Sequence, residues 1–205
     1  MKKTDIIISI LTGELIAFLA FKMLVGLANT LPIFAGIASI KFLPVILAIV
    51  FPILTILGLW ISWLLGKKFL FIFQLAKYAL IGIFATVVDL GIFNIIWKPN
   101  STANVFRLAK GTSFIFATLS KYMGDKFWAF EKMEKQGMGK ELAQFFLVTL
   151  VGLGINVGVA QSANAMIGSK LAIDETLMAN LAAIVAAVAA AFWNFVAYKM
   201  IVFKK

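Results

Sequence analysis

Cysteine and histidine are both absent from this chain. Their absence excludes disulfides, thiolate nucleophiles, imidazole acid–base chemistry and the usual Cys/His metal sites. The sequence also lacks a GK[ST] phosphate loop, an H-E-x-x-H helix and a G-x-S-x-G turn. Any chemistry must therefore rest on a few carboxylates, lysines, amides and hydroxyls. We expect no enzyme activity, no catalytic residues, no metal and no cofactor.

Charge is scarce as well. Only 14% of the residues are charged and 62% are hydrophobic, with a mean hydropathy of +1.01, whereas soluble domains carry about 25% charged residues. This composition indicates an integral membrane protein. The formal net charge of +10 would suggest nucleic acid as the partner of a soluble protein. Here the basic residues flank apolar runs, so they are read as topology signals and no nucleic-acid partner is expected.

Long apolar segments are what the sequence has in abundance. A transmembrane helix needs about 20 such residues, and none of the segments has the alternating pattern of a membrane strand. Glu14 and Lys22 interrupt the first segment, and no small-x-small site follows it, so we expect a retained helix rather than a signal peptide. The predicted fold class is all-α, a polytopic membrane protein with six transmembrane helices at about 6–28, 43–65, 75–97, 109–131, 142–166 and 177–200.

The distribution of basic residues predicts the orientation. Alternating the six helices places twelve lysines on the side of the two termini, and five basic residues on the other side, namely Lys41, Lys98, Arg107, Lys110 and Lys170. Cytoplasmic loops carry the excess of Lys and Arg. We therefore expect both termini in the cytoplasm and treat Arg107 with Lys110 as an outer-loop cluster that anchors at the interface.

The chain contains an internal repeat. YALIGIFATVVDLGIF at 78–93 aligns with FFLVTLVGLGINVGVA at 145–160, which pairs Asp89 with Asn156. ATLSKYMGDKFWAF at 117–130 aligns with AAFWNFVAYKMIVF at 190–203, which pairs Lys121 with Asn194 and Lys126 with Lys199. Two parallel hairpin repeats are expected at about 73–131 and 140–205, within a domain spanning 71–205. Residues 1–70 form an added N-terminal hairpin.

Residues 73–205 resemble the GtrA-like family of small four-helix membrane proteins. The family carries a motif similar to N-F-x-x-N-R-x-W-x-F at the ends of its second and fourth helices. The two copies here run from Lys121 to Phe130 and from Asn194 to Phe203, and LAKYALIGIFATVVDLGIF resembles the first family helix. Both family arginines are replaced by lysine, which is a point charge rather than a planar fork.

The resemblance implies translocation, or flipping, of a polyprenyl-phosphate-linked monosaccharide across the bacterial inner membrane for glycosylation of cell-surface polysaccharides. It also implies a separate glycosyltransferase as partner, besides membrane lipids. Two alternatives stay open, a proton-coupled small-molecule exporter and a scaffold that recruits a glycosyltransferase. A core this small is also expected to self-associate as a homo-oligomer.

The candidate substrate-binding residues are polar or aromatic groups in the repeat helices: Lys121, Asp125, Lys126, Trp128, Asn194, Tyr198, Lys199, Asp89 and Asn156. Glu14 and Asp89 are the candidate coupling carboxylates, since carboxylates inside membrane helices are functional candidates by default. We expect one groove lined by Lys121, Lys126, Lys199, Asn194 and Asp89 to hold the head group.

Each candidate also has a structural interpretation. Lys126 and Lys199 are equally typical of lysines that extend their ammonium groups to the interface. Lys121 is expected to pair with Asp125, one turn away, or with Asp89. Trp128 is typical of an interfacial aromatic belt.

Two further patterns are typical of helix packing. Asp89 and Asn156 are also typical of interhelical hydrogen bonding. Gly154 and Gly158, like the stretch AAIVAAVAAA at 182–191, are predicted to be helix-packing surfaces.

Overall fold

A computed structural model describes residues 1–28, 36–98, 102–168 and 175–204, without the side chains at 23, 26, 27, 164–168 and 175–180. Lys170 therefore lies outside the described residues. The helices are α1 (Lys3–Ala28), α2 (Leu43–Gly66), α3 (Leu70–Ile96), α4 (Ala103–Gly124), α5 (Met138–Gly168) and α6 (Glu175–Ala197), with π-helical turns π1 (Asp125–Ala129) and π2 (Tyr198–Val202). The all-α fold class is confirmed, because the described residues form a polytopic helical membrane protein.

Five of these helices are long and apolar enough to cross a membrane, namely Lys3–Lys22, Leu43–Gly66, Leu70–Ile96, Met138–Ala163 and Leu181–Val202. The helix α4 is not one of them among the described residues. It begins at Ala103, earlier than predicted, and so takes in Arg107 and Lys110. The prediction of an outer-loop cluster at these two residues is wrong, because both belong to the first turns of a helix.

The chain divides into two compact units, Met1–Glu131 and Lys132–Lys205. In the first unit α1 and α2 pack closely. A Cβ at Gly13 would collide with the backbone of Pro52, so only glycine permits this approach. The Thr55 hydroxyl of α2 donates to the Ser9 carbonyl of α1 at 2.8 Å. The N-terminal hairpin is thus joined by both packing and a partly buried hydrogen bond.

Many large apolar side chains of the first unit point outwards. In α2 they include Val45, Ile49, Ile53 and Leu57, each about half exposed. A soluble protein rarely exposes a continuous apolar surface of this kind. The hydrocarbon of a membrane is the solvent that such a surface fits.

In the second unit α5 packs against α6. Ala182, Ala186 and Ala190 are buried at intervals of four, which confirms the slim alanine face of α6. The close approach on α5 is at Gly152, where a Cβ would collide with the Asn194 amide. The sequence predicts a helix-packing surface at Gly154 and Gly158. This prediction is wrong within the described part of the chain, since a Cβ at either position would meet open space.

Both repeats end in the same irregularity. The turn π1 closes with the Phe130 N–H donating to the Asp125 carbonyl at 2.8 Å, and π2 closes with the Phe203 N–H donating to the Tyr198 carbonyl at 2.7 Å. Each bond spans five residues, and the two turns are separated by the same offset of 73 that aligns the sequence motifs. Turns of this type are rare and occur frequently at functional sites.

Candidate functional site in the two wide turns

The first wide turn begins on a partly buried ion pair. The Lys121 ammonium lies 2.7 Å from Asp125 Oδ2, as their four-residue spacing predicts. It also lies 3.8 Å from the centre of the Tyr78 ring on α3. Asp125 is fully buried, and its second oxygen, Oδ1, has no hydrogen-bond partner among the described residues. This carboxylate therefore retains an unused acceptor at the start of π1.

The next residue, Lys126, is also fully buried. Its ammonium lies 5.7 Å from the centre of the Phe127 ring. A lysine that extends to the membrane interface would leave its charged end in water, so this burial contradicts the snorkelling interpretation of Lys126. A buried ammonium is expensive unless it is compensated, and the wide turn places this one inside the protein.

Trp128 belongs to a buried network rather than to an exposed aromatic belt. Its indole N–H donates to Asp5 Oδ1 at 2.8 Å, and its side chain is 8% exposed. Asp5 also accepts from the Lys77 ammonium at 3.0 Å, and Lys77 in turn contacts Glu131 Oε1 at 3.1 Å. The network ties the start of α1 and the start of α3 to the end of π1. The belt prediction for Trp128 is therefore wrong.

Sequence reasoning missed most of this network. Lys77 is one of the twelve lysines that the sequence places on the side of the two termini, yet its side chain is 2% exposed, and Asp5 is not among the candidate residues. The ammonium also lies 4.4 Å from the Phe73 ring centre and 5.4 Å from that of Trp128. The available signal was an aspartate, Asp5, at the start of an apolar helix, where a carboxylate can accept from a backbone N–H; it accepts here from the Lys2 amide at 2.7 Å.

Glu131 closes the network outside the helices. Its carboxylate lies 2.9 Å from the Lys2 ammonium and 3.1 Å from the Lys77 ammonium. Burial works against its charged form, but the hydrogen bonds and charges of the two lysines outweigh that effect and hold the pKa of Glu131 below its usual range. The bond to Glu131 raises the pKa of Lys2 correspondingly.

The second wide turn is built around Tyr198 instead of a carboxylate. The Tyr198 ring stacks on Phe145 at 4.1 Å between centroids, and its hydroxyl lies 2.7 Å from the Thr149 hydroxyl. Lys199 is half-buried. The Asn194 side-chain oxygen is buried and has no hydrogen-bond partner among the described residues. An amide and a phenol thus occupy the positions where the first copy has Lys121 and Asp125.

Asp89 belongs to a different cluster. Its two carboxylate oxygens each lie 2.6 Å from a partner on α4, Lys110 Nζ and the Ser113 hydroxyl. Eleven residues separate Lys110 from Lys121, which corresponds to roughly 16 Å along the helix. The expected pairing of Asp89 with Lys121 is therefore wrong, because both groups are engaged elsewhere.

The remaining candidates lie apart from these clusters. Asn156 is half-buried on α5, and Glu14 is exposed on α1. No group of three His, Cys, Asp or Glu that could hold a metal ion occurs within the described ranges. Lys121, Asp125, Lys126 and Trp128 are gathered at π1, and Asn194, Tyr198 and Lys199 at π2.

The fold defines a polytopic helical membrane protein in which the described residues form two wide turns at matching motif positions. The profile of the GtrA/DPMS transmembrane domain matches residues 77–203, so the chain belongs to this family. An uncharacterized membrane protein of Bacillus subtilis (strain 168), YwcD, is 30% identical over 130 residues, which is 62% of this chain and 94% of the relative. No solved structure matches. The family resemblance inferred from the motifs is therefore confirmed.

Proposed function

We propose that this protein moves a polyprenyl-phosphate-linked monosaccharide across the bacterial inner membrane. The observation that carries the proposal is the pair of wide turns, each with a lysine at its second residue, Lys126 and Lys199, within a GtrA/DPMS domain. The phosphorylated head group of such a lipid is anionic and polar. It cannot enter hydrocarbon without partners for its charge and its hydroxyls.

The two kinds of group that a sugar phosphate needs are present at the motif copies. The ammonium groups of Lys126 and Lys199 supply positive charge for the phosphate, and a buried or half-buried ammonium attracts an anion more strongly than one in water does. Sugar hydroxyls require acceptors. Asp125 Oδ1 and Asn194 Oδ1 are buried acceptors without a partner among the described residues. Each motif copy, taken by itself, therefore offers an ammonium group for a phosphate and an acceptor oxygen for a sugar hydroxyl.

The proposal includes the orientation with both termini in the cytoplasm, action as a carrier rather than as an enzyme, and a separate glycosyltransferase that uses the sugar. Orientation can be tested directly because the chain has no cysteine. Single cysteines introduced at Lys135 and at Lys41 should react with an impermeant maleimide from opposite sides of the membrane. Labelling of Lys135→Cys only from outside the cell would reverse the proposed orientation.

The exporter alternative receives no support from the geometry. It assigned the titrating role to Glu14 or Asp89. Asp89 is compensated by Lys110 and Ser113, and Glu14 is exposed on the surface of α1. The scaffold alternative differs from the carrier in a measurable way, since a scaffold does not need the charge of the motif lysines.

The deciding experiment measures flipping in proteoliposomes. A fluorescent short-chain polyprenyl-phosphoryl monosaccharide is incorporated, and the outer leaflet is bleached with an impermeant reductant. We expect Lys126→Met and Lys199→Met each to slow the movement of fluorescent lipid from the protected inner leaflet to the bleached outer leaflet at least about tenfold. This factor corresponds to about 1.4 kcal/mol of lost interaction. Lys140→Met, which removes an exposed lysine, should leave the rate unchanged.

Binding distinguishes a carrier from a scaffold when transport is slow. Native mass spectrometry of the nanodisc-reconstituted protein should detect the sugar lipid more strongly than a bulk anionic phospholipid, with the preference lost in Lys126→Met. Wild-type flipping equal to that of empty liposomes, together with binding that is indifferent to both lysines, would overturn the carrier in favour of the scaffold.

A further inference from the structure

The helices α1 and α3 form a crevice that the motif site does not use. They are pinned together at one end, where Asp5 and Lys77 lie 3.0 Å apart. Towards the other end they enclose a space of about 650 Å³, lined by Phe18, Leu19, Lys22, Val87, Leu90, Gly91 and Asn94. This volume falls in the range of small-molecule pockets. The space begins roughly 15 Å along α3 from Lys77, at 1.5 Å per residue.

The walls of the crevice are apolar and reach the membrane. Phe18 is 56% exposed and Leu90 is 42% exposed. A Cβ at Gly91 would meet nothing within 4 Å, so the missing side chain leaves open space along the crevice wall. Because hydrocarbon surrounds these helices, a chain of methylene groups can enter the crevice from the side.

The mouth of the crevice carries a positive charge. Lys22 on α1 and Asn94 on α3 each lie roughly 25 Å along the helix from the Asp5–Lys77 pair, at 1.5 Å per residue. Because the hydrocarbon core is about 30 Å thick, both lie near the level of the lipid head groups at the far side of the membrane. Lys22 is exposed, its ammonium lies 5.8 Å from the Phe18 ring centre, and it forms no ion pair with the described residues.

We propose that the α1–α3 crevice binds a single anionic phospholipid, with one acyl chain between the helices and the phosphate at Lys22. Charge complementarity selects the anionic head group, and the apolar walls select the chain. The site does not depend on the proposed carrier function, because neither wide turn contributes to it. Residues 1–76 lie outside the family match, so α1 brings this site to the chain in addition to the shared domain.

The test uses purified full-length protein exchanged into equimolar phosphatidylglycerol and phosphatidylcholine, with the retained lipids counted by native mass spectrometry. We expect one phosphatidylglycerol to be retained in preference to phosphatidylcholine by about fivefold, the factor that corresponds to one basic residue near an anionic surface. Lys22→Gln should abolish the preference. Lys41→Gln, which removes another exposed lysine outside the crevice, should not.

A second variant tests the crevice rather than the charge. Gly91→Leu fills the open space and should reduce retention of both lipids. Gly58→Leu is its control, because Gly58 on α2 also faces open space but does not line the crevice. An unchanged preference in Lys22→Gln, or unchanged retention in Gly91→Leu, would overturn the proposal. Unchanged unfolding temperatures would show that the variants remain folded.

Discussion

The buried pair between Asp5 and Lys77 should contribute strongly to stability through coupling rather than through either residue alone. Asp5 is 1% exposed and satisfies three donors, the Lys77 ammonium, the Trp128 indole and the Lys2 amide. In Asp5→Asn the ammonium loses this carboxylate and keeps Glu131, whose side chain is 36% exposed, and the Trp128 carbonyl at 3.5 Å. Removing the charge of one partner of a buried ion pair costs about 3–5 kcal/mol, because the other charge is left uncompensated.

The double substitution should be far milder than the sum of its parts. Asp5→Asn keeps an oxygen for the Trp128 indole, and Lys77→Met keeps most of the volume of the lysine stem. Together they leave no unpaired charge at this position, and replacing a buried pair by uncharged groups is often nearly neutral. We therefore expect a coupling free energy of about 2–3 kcal/mol between the two sites.

A double-mutant cycle measures this coupling. The free energy of unfolding is obtained from reversible denaturation by sodium dodecyl sulfate in mixed micelles, followed by circular dichroism. Lys68→Met serves as the matched control, since Lys68 is exposed, and should change stability by no more than about 0.5 kcal/mol. Additive losses in the cycle would show that Asp5 and Lys77 do not act as a pair and would refute the network as described.

Three further predictions follow from local contacts. Gly124→Leu should separate α3 from α4, because a Cβ there collides with Ile81; it should lower the unfolding free energy by about 1–3 kcal/mol, whereas Gly111→Leu, which faces open space, should not. Tyr198→Phe keeps the stacked ring but loses the hydroxyl contact to α5, so it should lower the free energy of unfolding by about 1 kcal/mol in the same assay. An unchanged free energy of unfolding would show that this hydrogen bond does not stabilise the protein. The pKa of Glu131 is lowered from 4.5 in the folded state, so the stabilisation from its charge is present above that pH and is lost as the pH falls through the folded pKa. Glu131→Gln should therefore weaken the decrease of the unfolding free energy at acidic pH. An equally steep decrease in the variant would contradict the lowered pKa.

The sequence was sufficient for the fold class because hydropathy and segment length reflect a strong constraint, the need to satisfy every backbone group inside the membrane. It was also sufficient for the pairing of Lys121 with Asp125, which depends only on a four-residue spacing. The sequence does not predict the start of α4 at Ala103, because the charges of Arg107 and Lys110 are typical of a loop outside the membrane. In the structure Asp89 neutralises Lys110.

The candidate site was only partly predictable. The burial of Lys126 and Trp128 depends on the wide turn, and no propensity rule predicts where a helix adopts a bond spanning five residues. The role of Asp5 depends on a contact 123 residues distant along the chain. A single sequence gives no signal of such a pairing, whereas it does give signals for helix periodicity and charge spacing. The domain boundary near residue 70 and the assignment of substrate-binding residues stay predictions.

The matched wide turns also bear on the history of the molecule. A turn spanning five residues holds one residue more than the α-helical pattern around it. Both turns occur at the same place in the motif, although the residues that begin them differ, Asp125 in one and Tyr198 in the other. One ancestral insertion accounts for both turns, whereas separate origins require two insertions at corresponding positions. If the two hairpins arose by duplication, the irregular turn preceded that event and the side chains within it diverged afterwards.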